Sequence, residues 1–174
     1  MYDREKFVTI HYLEMLDPGE LKSKYCQDPD FSIKECLVKQ YPFNRFLYEL
    51  VGKQWHWIDK RYWSDETWRE YVENKDLRTW IAYEGGSPAG YYELQHQEDG
   101  NIEIMYLGLG LAFIGKGYGG HLVSHATQSA WEWGAKRVWV HTCSFDHPNA
   151  LANYQARGFK IYKTETKPDI TNIL

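Results

Sequence analysis

The stretch from Gly110 to Gly120 limits the folds open to this chain more strongly than any other part of the sequence. Four glycines fall among residues 115 to 120, and a helical pattern begins at about Gly119 and continues to Trp133. Glycines at alternate positions leave backbone N–H groups uncovered, and at a helix N-terminus these donors and the helix dipole bind phosphate. Because a tight strand-to-helix turn needs fewer glycines, the stretch predicts an anion-binding loop.

Two nucleotide-binding motifs overlap this loop, and both are incomplete. The spacing Gly110-x4-Gly115-Lys116 resembles a P-loop, but Gly117 stands where Ser or Thr must hold Mg²⁺. The pattern GxGxxG is also satisfied, from Gly115 to Gly120. A doubly wound dinucleotide domain is not expected, because the preceding strands form a meander and the residues after the loop are too few to complete it.

The patterns on either side of the loop predict an α/β (α+β) fold in a single domain over residues 1–174. Two short connections, at residues 85–88 and 98–101, join three strands into an antiparallel meander. The strand–helix–strand step that follows predicts one parallel pair. We expect a mixed, mostly antiparallel sheet of six to seven strands with helices on both faces. The predicted strands are 7–15, 78–84, 89–97, 102–109, 137–143 and 159–165; the helices are 43–51, one after Ser64, 119–133 and 149–157; and residues 17–42 are irregular.

Two segments of the sequence resemble signatures of the GNAT superfamily of N-acyltransferases. Residues 114–119 are similar to its pyrophosphate loop, (Gln/Arg)-x-x-Gly-x-(Gly/Ala), with Ile114 in place of Gln or Arg. Residues 146–159 are similar to its second signature, Asn-x-x-Ala-x-x-x-Tyr-x-x-x-Gly-Phe. Here His147 replaces the asparagine, Asn149 is out of register, and the matches are Ala150, Tyr154, Gly158 and Phe159. The resemblance covers residues 77–165, whereas residues 1–76 are similar only in layout.

The resemblance implies acetyl-CoA as co-substrate, bound in a cleft where the family's fourth and fifth strands (β4/β5 in family numbering) splay apart. Residues 77–165 would form the acetyl-CoA-binding half and residues 1–76 the acceptor side. The N–H of Leu107 would meet the thioester carbonyl at a bulge with which Gly108 is compatible. The implied cofactor contacts are Leu107, Leu109, Ile114, Gly115, Lys116, Gly117, Gly119, Gly120, His147 and Asn149.

Acyl transfer to an amine needs a base for the ammonium, a donor for the oxyanion and a proton for the leaving thiolate. Tyr154 matches the family's general acid near the CoA sulfur, and its alternative role is to pack the short helix onto the sheet. Glu103, fourteen residues before Gly117, has the spacing of the glutamate base in the histone-acetylating branch. A strand would place it on one face with Met105 and Leu107, where partial desolvation would raise its pKa.

Several alternatives stay open around these residues. Glu103 could be an exposed strand residue, with Glu93, His96 or a water chain as the base. The pair His121 and His125 has metal-ligand spacing, but a solvated helix face with no metal is favoured. A Cys/His nucleophile among residues 141–147 is disfavoured, because direct transfer needs no covalent intermediate. One or two aromatic residues could line a cage for a cationic acceptor; the candidates are Tyr41, Phe43, Phe46, Trp55, Trp57, Tyr62 and Trp63.

The net charge and the cysteine content limit which classes of partner and which cellular compartment we expect for this protein. The net charge of −4, without runs of like charge, gives no expectation of nucleic acid. Three cysteines without a CxxC pair suggest free thiols in a reducing, cytoplasmic setting, and no apolar run predicts a membrane span. We expect an N-acetyltransferase acting in a ternary complex on a small-molecule or peptide amine, with a homodimer left open. The alternative is a catalytically weak CoA-binding sensor or interaction module, and a nucleotide-binding protein ranks third.

Overall fold

The computed structural model describes residues 7–169 and contains seven strands and four helices. The strands are β1 (Phe7–Met15), β2 (Phe31–Glu35), β3 (Leu77–Glu84), β4 (Ser87–His96), β5 (Asn101–Leu109), β6 (Arg137–Cys143) and β7 (Lys160–Pro168). The helices are α1 (Tyr41–Gly52), α2 (Asp65–Glu73), α3 (Tyr118–Glu132) and α4 (Ala150–Ala156).

All seven strands belong to one sheet in the order β2-β3-β4-β5-β6-β1-β7. Every neighbouring pair is antiparallel except β5 and β6, which are parallel. The predicted mixed α/β fold, its meander and its parallel pair are therefore confirmed. The place of β1 between β6 and β7 follows from no local pattern, because it depends on pairing between distant segments.

The prediction that residues 17–42 are irregular is wrong in one part. Residues Phe31–Glu35 form β2, which pairs with β3 at the edge of the sheet. Phe31 is buried there and stacks on Tyr118 of α3, with ring centroids 4.2 Å apart. The strand has only five residues between prolines, so its alternation was too short to detect.

The helices cover both faces of the sheet. Helices α3 and α4 pack over the larger core on one face, where Leu122, Val123, Ala126 and Ala130 of α3 are buried. Helices α1 and α2 cover the opposite face with two smaller clusters. Helix α2 begins after Ser64, as predicted, and it is capped there because the Ser64 hydroxyl accepts from the Thr67 N–H at 3.2 Å.

Strands β5 and β6 pair only at their first three residues, from Asn101↔Arg137 to Glu103↔Trp139. Beyond that point they diverge and open a cleft through the sheet. The predicted bulge is present, but not at Gly108. Met105 is the extra residue, because Leu94 pairs with Ile104 while Glu93 pairs with Tyr106.

Gly108 itself has a packing role. It is in register with Tyr91, and a Cβ at this position would lie 2.5 Å from Val51 Cγ1. The close approach of α1 to the sheet therefore requires glycine here.

None of the helices within residues 7–169 combines the length and apolar character that a membrane crossing requires.

Candidate active site

The divergence of β5 and β6 opens a cleft of about 930 Å³. On the α3 face its wall is made by Ile114, Gly115 and Gly117 of the glycine loop, by the start of α3 and by helix α4; we call this part the cofactor arm. On the α1 face its wall is made by residues 55–59, Tyr106 and His141; we call this part the acceptor arm. The two arms meet between the diverging strands.

Two glycines of the loop have a left-handed backbone. Gly115 and Gly117 have φ angles of +86° and +85°, a conformation that favours glycine, and a Cβ on either would meet nothing within 4 Å. Helix α3 begins directly afterwards, and no side chain caps its first turn. Its free N–H groups and dipole therefore lie at the wall of the cofactor arm.

Most of the predicted cofactor contacts line this arm, and one does not. Lys116 lies outside the cleft wall, where its Nζ is 2.9 Å from both carboxylate oxygens of Glu84 on β3. This ion pair ties the loop to the sheet. The predicted residues on the cleft wall are Leu107, Leu109, Ile114, Gly115, Gly117, Gly119, Gly120, His147 and Asn149.

Two basic residues that the sequence analysis did not select also line the cofactor arm. Lys24 comes from the segment before β2, and Arg157 follows α4. A Cβ at Gly120 would lie 2.4 Å from Arg157 Nη1 and 2.9 Å from Lys24 Cδ, so both side chains cross the first turn of α3. Arg157 falls within the second signature at a variable position, while Lys24 carries no sequence signal.

Tyr154 lies on α4 with its ring buried and its side chain on the wall of the cofactor arm. The ring packs edge-on against Phe159, with centroids 6.0 Å apart. Burial, aided by the nearby Asp146, raises the pKa of its hydroxyl above the usual value. The phenol is therefore protonated at neutral pH and can act as a proton donor.

His147 and Asn149, both from the second signature, line the cleft. The His147 ring lies 5.1 Å from the Trp55 ring in an edge-on arrangement, and its Nδ1 accepts the backbone N–H of Asn149 at 3.1 Å. Asn149 is the N-cap residue of α4, but its side chain makes no capping bond. The amide is therefore available to the cleft.

Glu103 is buried, and it does not form part of the cleft wall within residues 7–169. The prediction that it shares a face with Leu107 is wrong, because the bulge at Met105 shifts the alternation by one residue. Leu107 packs toward α3, whereas Glu103 Oε1 lies 3.2 Å from His141 Nδ1 on the other face. His141 lines the cleft.

The two rival bases lie elsewhere. Glu93 is fully buried, and its oxygens accept from Asn44 Nδ2 at 2.9 Å and the Tyr71 hydroxyl at 2.5 Å. Burial raises the pKa of this carboxyl. His96 packs edge-on against Trp133 at the far end of β4. Neither residue is on the cleft wall that the described residues form.

The acceptor arm is acidic and aromatic. Asp59 lines it with a half-exposed carboxylate that accepts from the Tyr48 hydroxyl at 2.9 Å and from the Tyr106 hydroxyl. Of the aromatic candidates, Trp55 and Trp57 line the cleft.

A third aromatic candidate, Trp63, contacts an ammonium of the chain itself. Lys60 Nζ lies 3.8 Å from the ring centroids of both Trp63 and Tyr71, and Lys60 is buried. Burial lowers the pKa of this ammonium. Its nearest carboxylate oxygen belongs to Asp59, at 4.0 Å. The ring pair therefore holds an internal cation beside the acceptor arm.

Two other clusters have structural roles. The prediction of a solvated face for His121 and His125 is wrong, because the segment before β2 covers it: Cys26 Sγ lies 3.1 Å from His121 Nδ1. His125 Nδ1 is 2.8 Å from the Tyr92 hydroxyl.

Burial raises the pKa of the Cys143 thiol, which favours the protonated and less nucleophilic form of that side chain. Across residues 7–169, no group of three or more His, Cys, Asp or Glu side chains is placed to hold a metal ion.

We compared the chain with models of known protein families and with curated proteins. Residues 44–159 match the model of the acetyltransferase (GNAT) family, so the match begins well before the region of signature resemblance. A comparison with curated proteins finds no match.

Solved structures share the fold. A GCN5-related N-acetyltransferase from Kribbella flavida is 18% identical with a TM-score of 0.64, over 91% of this chain and 56% of that one. An IAA acetyltransferase from Bacillus cereus is 26% identical with a TM-score of 0.57, over 76% and 79%. An aminoglycoside acetyltransferase, meta-AAC0020, from an uncultured soil sample is 17% identical with a TM-score of 0.62, over 75% and 88%. The chain spans 56% of the Kribbella protein and 60% of a similar protein of unknown function from Staphylococcus epidermidis.

Proposed function

The chain belongs to the acetyltransferase (GNAT) family, and from this premise we propose that it transfers the acetyl group of acetyl-CoA to a primary amine by direct attack in a ternary complex. The observation that carries the proposal is the cleft through the sheet. The uncapped N-terminus of α3 lies at one end of it and an acidic, aromatic arm at the other. Donor and acceptor can therefore meet between β5 and β6 without a covalent enzyme intermediate.

The cofactor arm suits the pyrophosphate of acetyl-CoA. The uncapped N–H groups of α3 and the open backbone at Gly115 and Gly117 supply directional donors, and Lys24 and Arg157 supply positive charge. Ile114 replaces a polar residue of the family pattern. Since the main chain and two cations remain, we expect the phosphate contacts to persist without that side chain.

The chemistry of the transfer centres on Leu107 and Tyr154. Leu107 follows the bulge in β5 on the cleft wall, and its N–H is the proposed donor to the thioester oxygen as negative charge develops there. Tyr154 would give its proton to the sulfur as the C–S bond breaks, since its raised pKa keeps the hydroxyl protonated.

The acceptor arm favours a cationic amine of small-molecule or peptide origin. Asp59 presents a carboxylate to the cleft, and the Trp55 and Trp57 rings can contact an ammonium or its alkyl chain. The Tyr48 and Tyr106 hydroxyls fix this carboxylate in place, so that it can orient a second positive group on the acceptor.

A CoA-binding module without catalysis is the second candidate, favoured by the departures at Ile114 and His147. Two measurements separate the candidates. Thermal shift with acetyl-CoA, ATP and NAD tests the ligand, and only acetyl-CoA should stabilise the chain. Thiol release with a panel of primary amines then tests turnover. Stabilisation without thiol release for any amine would favour the binding module.

A further inference from the structure

The base for the acceptor ammonium must reach the cleft, and the buried Glu103 does not line it. The side chain between Glu103 and the cleft is His141, which the sequence pattern suggested only as part of a disfavoured Cys/His pair. Its imidazole is about half exposed, whereas the Glu103 side chain is 7% exposed. We infer that His141 is the residue that takes the proton from the acceptor ammonium, and that Glu103 is the positioning residue that orients it. This inference rests on the proposed function.

A chain of hydrogen bonds fixes the geometry of the pair. Trp139 Nε1 donates to Gln97 Oε1 at 3.0 Å, and Gln97 Nε2 donates to Glu103 Oε2 at 2.8 Å. The other carboxylate oxygen of Glu103 is thereby directed to His141 Nδ1, at 3.2 Å. A carboxylate accepts, so Nδ1 carries the hydrogen, and the neutral ring keeps its lone pair on Nε2.

The neighbours of His141 hold the ring and tune its charge. On β1, Tyr12 lies 5.9 Å away, and on β6 Trp139 lies 6.2 Å away, measured between ring centroids. The charged groups that face the imidazole are Glu103 on β5, Asp146 after β6 and Asp59 from the acceptor arm, and each carboxylate raises the pKa of His141. The hydrogen bond to Glu103 is the largest cause, and burial opposes it.

All protons and bonds in the proposed transfer are balanced without any further reactant. His141 Nε2 takes one proton from the ammonium, and the freed lone pair forms the C–N bond at the thioester carbon. The C–S bond then breaks, and the thiolate takes the Tyr154 proton. The second nitrogen proton restores Tyr154, and the half-exposed imidazolium returns its proton to water. The products are the amide, CoA thiol and one released proton.

Two nucleophiles separate the proton-transfer role from a packing role. The probe 1,4-diaminobutane is protonated at neutral pH and needs a base, whereas hydroxylamine is already unprotonated. With saturating acetyl-CoA, His141→Gln should lower kcat/KM for 1,4-diaminobutane by about 10²-fold or more and leave that for hydroxylamine nearly unchanged. His141→Asn serves as the second variant should the first fail to fold. The dissociation constant for acetyl-CoA should stay within about twofold in both, because neither change touches the cofactor arm.

Glu103→Gln tests the positioning role through the pH profile. The pKa of His141 is raised in the folded protein, so the neutral base is lost as pH falls through that raised value. Removing the carboxylate charge should therefore move the acid limb of kcat/KM to lower pH, with a fall of about 10-fold or more on the plateau. An NMR titration of the His141 ring with CoA bound should show the same shift without any acceptor. The matched control is Glu14→Gln, a β1 carboxylate 2.6 Å from Arg137 Nε, which should leave the profile unchanged.

The outcomes distinguish this inference from the proposed function. Loss of activity with 1,4-diaminobutane alone, together with a lowered His141 pKa in Glu103→Gln, supports the pair. An unchanged kcat/KM in His141→Gln, or a His141 pKa that Glu103→Gln does not lower, overturns it while the acetyltransferase assignment stands. Wild-type protein that fails to bind acetyl-CoA overturns both.

Discussion

Replacing Gly117 by alanine should separate the cost of the loop backbone from the cost of lost cofactor contacts. Its φ is +85°, and a Cβ would meet nothing within 4 Å, so the free protein loses only conformational energy. A left-handed residue with a Cβ costs about 1–2 kcal/mol, which corresponds to a fall of roughly 2–8 °C in Tm for a chain of this size. With acetyl-CoA present the added methyl group should also crowd the pyrophosphate.

The chain supplies a matched control in Gly134, at the opposite end of α3. Its φ is +93°, it also has an open Cβ position, and it lies off the cleft wall. Both alanine variants should lose the same stability, but only Gly117→Ala should bind acetyl-CoA more weakly, by about 10-fold or more. At a ligand concentration near 100 times the wild-type Kd, wild type and Gly134→Ala should gain about 2.7 kcal/mol, and Gly117→Ala only about 1.4 kcal/mol.

Thermal melting with and without acetyl-CoA, together with calorimetric titration, measures both effects. Equal acetyl-CoA affinities for the two folded alanine variants would refute the assignment of this loop to the pyrophosphate.

Three further changes test other parts of the cleft. Tyr154→Phe should lower kcat at the low end of the ~10²–10⁴-fold range with acetyl-CoA affinity intact, whereas a purely structural tyrosine would lower Tm and leave kcat in place. Asp59→Asn should raise KM for 1,4-diaminobutane more than for n-butylamine, and equal effects on both amines would remove the acidic arm from acceptor recognition. Gly108→Ala should cost about 1–3 kcal/mol of unfolding free energy through its contact with Val51, read by denaturant melts, and an unchanged midpoint would show that α1 can shift freely.

The cofactor arm was largely predictable because its determinants are local. Consecutive residues specify the glycine at positive φ and the helix start that follows it, and the same holds for the short helix that carries Tyr154. Lys24 was not predictable, because it reaches the loop from a segment nearly a hundred residues away whose course depends on tertiary contacts. One of these is the Lys24 N–H, which donates to the Ser124 hydroxyl on α3 at 2.8 Å.

The sequence by itself determined the fold class, the order of the elements from β3 onward and the glycine loop before α3, since these follow from periodicity and backbone chemistry over short stretches. Only the tertiary structure decided how the acceptor side is assembled. The extra residue Met105 in β5 reverses which face Glu103 occupies, because strand side chains alternate with a period of two. The parallel register of β5 and β6, in which Glu103 is opposite Trp139, brings His141 into hydrogen-bond reach of that carboxylate. A bulge is fixed by pairing between strands, and no single strand records it.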